Sequence, residues 1–282
     1  MKKILIAILV ASFIAGCKKD IAIKPSESPK QDYVLPQGKS PADDRIVELY
    51  KKYNTYFLYD YSVADFNWNQ IGKRQGAFGG TNADPRYVGD FLDLLQDKWF
   101  RFYPDEFLKQ RMPYRIFMAD SLYVNYGGVK YLVTVNPGAE NLAFGYVNSQ
   151  LQGQDKAFKL EYKNQLNSVF WEMLIDKKLI DLPESFFAVS SYTVNTSSDP
   201  NSSNYFKSRG FTEDFSYFEY ITVEDAKRRD LSAFIRTMLS MKKSEWNEKY
   251  LGFPLLKKKY DVMQTYFLSK YKINLQLIGD AE

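Results

Sequence analysis

The sequence predicts an α+β fold, with a small sheet in the N-terminal half and a helical C-terminal half. Three observations lead there. Short apolar-rich runs separated by Gly and Asn cluster between residues 115 and 147, and apolar positions at helical spacing dominate from 161 onward. No low-complexity break interrupts the chain from Arg45 to its end, which suits one large domain, 45–282, better than two. With 282 residues, 45% of them apolar, such a domain can bury a sizeable core.

The elements follow in chain order. Residues 1–16 read as a signal peptide: a basic start at Lys2 and Lys3, an apolar run from Ile4 to Ile14 too short to span a bilayer, and small residues before Cys17. Ile14-Ala15-Gly16-Cys17 has the form of a bacterial lipobox, in which the Cys17 thiol receives diacylglycerol before cleavage. Residues 17–44 hold Pro25, Pro29, Pro36 and Pro41 among polar residues without periodicity, so a flexible tether is expected. Lys18-Lys19-Asp20 resembles the charged signal that sends lipoproteins of Bacteroidota to the cell surface.

In the folded part, 44–53 has an acidic start and helical spacing. The partial alternation of 57–66 suggests a strand, and Gly76-Ala77-Phe78-Gly79-Gly80 a plain turn. Helix is expected over 87–102 and 104–111, and strands over 115–124, 130–135 and 141–147. Residues 161–182 form the strongest helical pattern, with Leu166, Val169, Phe170, Met173 and Leu174 on one face and Pro183 beyond the end. After a Ser/Asn/Asp-rich loop over 183–210, helices are expected at 213–221, 226–241, 244–250 and 255–271.

The chain contains no histidine. That excludes Ser-His-Asp and Cys-His catalysis, His-ligated zinc or haem, and imidazole pH switches. Cys17 is the single cysteine, so no disulfide forms within the chain and none is left for metal or redox work. A net charge of +4, with two of the lysines in the leader, gives no reason to invoke nucleic acid. Aromatic residues are the excess at 17%.

The order of lipobox, Pro-rich tether, sheet region, central helix, Glu213-Asp214-Phe215-Ser216-Tyr217, Ser244-Glu245-Trp246 and a long terminal helix resembles one family. So do Lys259-Tyr260-Asp261-Val262-Met263 and Ile273-Asn274-Leu275. The chain is similar to the zinc-binding metallopeptidase lipoproteins of Bacteroidota, also called substrate import-associated zinc metallohydrolase lipoproteins. The resemblance implies a zincin-like, gluzincin-type domain. It also implies a place beside a TonB-dependent importer and its starch-utilisation-type (Sus-like) surface lid lipoprotein, at the outer membrane.

The family's His-Glu-x-x-His falls on Trp171-Glu172-Met173-Leu174-Ile175, so only the glutamate is kept. Two histidines at i and i+4 would give zinc two nitrogen donors from one helix face. Trp171 has only an N–H to donate and Ile175 offers nothing, but the two make a good apolar i,i+4 pair, so a packed face is expected. Glu213 stands at the family's acidic position, and Tyr217 replaces its later glutamate. Trp171, Glu172, Ile175, Glu213 and Tyr217 thus mark a degenerate former site, with no catalytic residue, metal or cofactor assigned. Glu172 and Asp176 also read as i,i+4 acids on a solvated stretch. Glu172, Asp176 and Glu213 would approach one another if the helices pack as in the family, and oxygen ligands of that kind suit calcium or magnesium.

Tyr205, Phe206, Phe211 and Tyr220 lie in a crowded aromatic segment whose rings could fill a core or contact a ligand. Arg228-Arg229 and Lys257-Lys258-Lys259 read as solvated faces. The expectation is a non-catalytic, lipid-anchored surface protein of the outer membrane, an accessory or binding subunit of a nutrient importer for peptide or glycan. The alternatives are a hydrolase using a carboxylate-bound metal or a carboxylate pair, and a structural scaffold of a membrane complex.

Overall fold

Ile116-Phe117-Met118-Ala119 shows no polar alternation, the pattern of a strand covered on both faces, and it forms the middle of the sheet. The computed structural model describes residues 33–68, 78–138 and 140–282. The leader, Cys17, the tether up to residue 32, Gly76 and Ala77 lie outside them. In chain order the N-terminal half contains α1 (Asp43–Tyr53), β1 (Tyr56–Leu58), α2 (Val63–Trp68), β2 (Phe78–Asn82), α3 (Val88–Lys98) and α4 (Asp105–Arg111). Then come β3 (Arg115–Tyr126), β4 (Val129–Leu132), β5 (Val135–Pro137) and β6 (Asn141–Phe144). The C-terminal half contains α5 (Gln150–Gly153), α6 (Lys156–Asp176), α7 (Glu184–Phe187), α8 (Val223–Ser240), α9 (Lys243–Lys249), α10 (Pro254–Tyr271) and α11 (Leu275–Asp280). The fold is mixed α and β, with a small sheet and many helices.

The inner half of β3 pairs in parallel with β1, Phe57 opposite Ile116, and with β6, Leu142 opposite Ile116; β5 closes that side antiparallel to β6. Its outer half leaves this layer and pairs antiparallel with β2 and β4. The β3–β4 hairpin turns on Gly127 and Gly128, both at positive φ, as a tight two-residue turn requires.

Helix α6 crosses the core. Asp155 caps it by accepting from the Phe158 N–H at 2.8 Å. Its buried residues, among them Tyr162, Leu166, Phe170, Trp171 and Ile175, fall on nearly every side, as expected of an inner helix. The Tyr162 hydroxyl ties it to the sheet by reaching the Gly145 carbonyl at 3.0 Å. Helix α8 packs on α6 and on α11; a Cβ at Gly279 would meet the Met238 carbonyl at 2.3 Å, so only glycine allows the α8–α11 approach.

Several expectations are corrected. The folded unit begins at Leu35 rather than 45: Leu35 packs on the core, Ala42 is buried, and the Asp43 carboxylate accepts from the Tyr59 hydroxyl at 2.9 Å. Residues 35–44 therefore do not belong to the tether. The strand expected over 57–66 stops at Leu58, because Ser62 caps α2 by accepting from the Asp65 N–H at 3.0 Å. Phe78, Gly79 and Gly80 are strand rather than turn, and Gly79 leaves the room that the Tyr123 ring fills. Helix α6 ends at Asp176, not 182, where Lys178 turns to positive φ. Residues 213–221 contain only a 3-10 turn at Phe218–Tyr220. Phe211, Phe215 and Phe218 are all buried there, but Thr196 takes the Phe215 N–H, so the backbone bonds outward instead of along a helix. The closing helix α11 falls outside every expected element.

Candidate functional site

Three segments meet in a cleft of about 260 Å³. Helix α6 contributes Glu172 and Asp176, one turn apart. Helix α8 contributes Arg228, Arg229, Ser232 and Arg236, and the turn after Phe211 contributes Glu213 and Tyr217. Three carboxylates therefore face three guanidiniums. Thr222 fixes the start of α8 by accepting from the Asp225 N–H at 3.1 Å, and Phe215 and Phe218, buried with Phe211, anchor the Glu213–Tyr217 turn in the core.

Two of the carboxylates are paired. Arg236 donates to Glu213 at 2.9 Å, and Arg228 to Asp176 at 3.3 Å. The other two charges stand apart. The Arg229 guanidinium lies 5.3 Å from the centre of the Tyr217 ring, and among the described residues it donates to no acceptor. Glu172 has no hydrogen-bond or ion-pair partner among the described residues. Burial pushes its carboxyl above the ordinary carboxylate range, and the Asp176 charge adds to that, while Arg236 and Arg228 oppose the shift. Glu172 is half-buried, so it does not lie on the solvated stretch expected of it.

Trp171 and Ile175, expected from the resemblance at a former ligand face, are elsewhere. Trp171 is buried; its Nε1–H donates to the Tyr103 hydroxyl at 2.9 Å, and its ring meets Phe267 edge-on at 4.9 Å. Ile175 is buried in the same core. Neither lines the cleft, so the structure brings together Glu172, Glu213 and Tyr217 and leaves Trp171 and Ile175 out. A zinc ion has no nitrogen or sulfur donor here. Among the described residues no three His, Cys, Asp or Glu side chains assemble as ligands for any metal. The residues present do not fit that ion.

Of the aromatic candidates, Phe211 is fully buried and lost to any ligand. Tyr205 and Phe206 are half-buried, their rings 5.0 Å apart, and Tyr205 also touches Phe253 at 5.9 Å. Tyr220 is 81% exposed. None of the four lines the cleft.

The basic clusters also divide. Lys257 pairs with Asp261 at 2.6 Å on the surface, whereas Lys259 is fully buried against Asp230 of α8 at 2.6 Å. The Tyr192 hydroxyl donates to the same Asp230 oxygen at 2.7 Å, and the rings of Phe186 and Phe211 lie within 4.6 Å of the ammonium. Burial pushes the Asp230 carboxyl up and the Lys259 ammonium down, each partner opposing the other's shift. A signal for this pair existed. Lys259 interrupts the apolar stripe Leu256, Tyr260, Met263, Phe267, and Asp230 interrupts Ala226, Ala233, Phe234, so one charge of each sign sits where a core residue belongs.

No family model matches the chain, and no curated protein matches it. Among solved structures it is similar to a protein from Bacteroides caccae ATCC 43185 described as a "putative zinc-binding metallo-peptidase", with 14% identity and a TM-score of 0.46 over 84% of this chain and 88% of that one.

Proposed function

We propose that this chain is a non-catalytic binding protein, lipid-anchored through Cys17 at the outer membrane, whose α6–α8 cleft takes a small polar ligand. One observation carries the reading: arginines from α8 occupy two of the carboxylates that would otherwise face a cation, while Trp171 and Ile175 are built into the core. Each of those two carboxylates already has its charge countered by a guanidinium, which weakens it as a ligand for a cation. What remains is a polar concavity in which Arg229, stacked on Tyr217, and Glu172 make no hydrogen bond or ion pair with any described residue, and we read it as a recognition surface. The lipobox supports the anchor, and the family resemblance supports a role beside a TonB-dependent importer and its lid lipoprotein.

The test uses the full chain purified in detergent. With zinc, calcium or magnesium added, peptide and polysaccharide substrates are expected to remain uncleaved, and no stoichiometric metal is expected to be retained. Metal bound one to one and lost on Glu172→Ala or Glu213→Ala would overturn the reading. Capture through the anchor is expected to recover the importer pair; an anchor that brings down neither protein removes the importer association.

A second reading has one observation in its favour. A half-buried, unpartnered carboxyl with a raised pKa is what a general acid or base looks like, and Glu172 is such a group. Turnover of any substrate that disappears in Glu172→Gln would select hydrolysis over binding.

A further inference from the structure

We infer that the ligand of this cleft is a zwitterion, a free amino acid or very short peptide carrying both a carboxylate and an ammonium group, with the carboxylate on Arg229 and the ammonium on Glu172. The inference rests on the cleft being a binding site and specifies what it binds.

Arg236 with Glu213, and Arg228 with Asp176, satisfy each other at 2.9 and 3.3 Å. Arg229 and Glu172 line the same cleft without a hydrogen bond or ion pair to each other or to any other described residue. Tyr217 keeps the Arg229 guanidinium against its ring and so limits the orientations of a fork that matches a carboxylate with two parallel N–H donors.

Each simpler ligand leaves a charge behind. A plain carboxylate would satisfy Arg229 and be repelled by Glu172. A plain amine would do the reverse, and a neutral sugar would desolvate both groups while supplying a counter-charge to neither. A dipolar ligand answers both at once. Size points the same way, since about 260 Å³ lies just below the range typical of drug-sized ligands and admits one or two small residues.

Calorimetry on the full chain in detergent tests this with L-alanyl-L-alanine, its N-acetyl and C-amide derivatives, D-glucuronate and maltose. The dipeptide is expected to bind, and blocking either end to weaken it about tenfold or more, the loss of one charge-assisted contact. Arg229→Gln is expected to weaken the dipeptide by a similar factor and to abolish the difference between dipeptide and C-amide. Glu172→Gln is expected to abolish the difference between dipeptide and N-acetyl form. Arg45→Gln, which breaks a surface pair with Asp93 at 2.8 Å outside the cleft, is expected to change nothing. Equal binding of free and blocked dipeptides overturns the inference. Glucuronate or maltose binding that is lost in Arg229→Gln, with no dipeptide binding, overturns the zwitterion and leaves the cleft as a binding site. An absence of binding across the whole panel overturns both.

Discussion

On the inner side of α8, Asp230 meets Lys259 with both side chains fully shielded from water; on the outer side, Arg228 and Arg236 meet Asp176 and Glu213 with roughly half of every side chain exposed. The chemistry of the contacts is the same, and their physical consequences are opposite. In the core, desolvation of each ion costs several kcal/mol, repaid only while the partner and the Tyr192 hydroxyl stay in place. The balance there is incomplete, since the second Asp230 oxygen has no described hydrogen-bond partner. On the surface, water and salt screen the pairs, so each adds little to stability while still countering its carboxylate's charge. One helix thus carries a locked charge pair that fixes how α8 and α10 sit together, and a screened set that lines the cleft.

The sharpest way to break this contrast is to remove one partner of the inner pair. Lys259→Met leaves Asp230 buried without a counter-ion and is expected to cost about 3–5 kcal/mol of unfolding free energy, measured by urea denaturation. Adding Asp230→Leu to Lys259→Met is expected to recover most of that loss, because the double variant buries no charge. A double variant as unstable as the single would show that the site needs its polarity and would remove the distinction drawn here.

A third buried charge gives the contrast a pH signature. The Lys163 ammonium is buried and donates to the carbonyls of Ile278 and Ala281, both at 2.6 Å, which satisfies open carbonyls at the C-terminal end of α11. Burial and the nearby Lys98 and Arg101 charges bring it down to about 8, below the ordinary lysine value of 10.5. The unfolded chain therefore holds more protons on this group between pH 8 and 10.5, and its contribution to stability rises with pH across that window. It is lost as pH falls through 8. Unfolding free energies of the parent chain and of Lys163→Met, from urea denaturation between pH 7.5 and 9.5, are expected to diverge by up to about 1.4 kcal/mol per pH unit. Parallel curves would place the Lys163 pKa near its ordinary value.

These three charges show where sequence reasoning runs out. Strand β3, helix α6 and the packing of Trp171 on Ile175's side of the core are legible, because period and apolarity there agree with burial. The cleft is partly legible. Family resemblance picks out Glu172, Glu213 and Tyr217, which do come together, while the arginines that change its meaning read as an ordinary solvated face. The failures share a cause. Phe211, Phe215 and Phe218 have helical spacing because three rings must reach one core, yet Thr196 takes the backbone N–H that a helix would use. Lys259 belongs to a basic run in sequence and to the core in space. Both outcomes depend on a partner distant along the chain, Thr196 in one case and Asp230 in the other, which no local window contains.

The smallest expected effect tests the outer face. Because Arg236 and Glu213 are each about half exposed, a double-mutant cycle on Arg236→Gln and Glu213→Gln is expected to give a coupling of about 0–1 kcal/mol that shrinks as salt rises. Glu213→Gln alone also frees the Arg236 guanidinium inside the cleft, and burial already holds the Glu172 carboxyl nearby above its ordinary range. The freed cation can turn toward Glu172 and strengthen the pull that now only partly opposes that shift. Glu213→Gln is therefore expected to lower the Glu172 pKa relative to the parent, followed by carboxyl NMR titration, while the unfolding free energy barely moves. An unmoved Glu172 titration together with a stability loss of several kcal/mol would mean that the outer pair is as locked as the inner one.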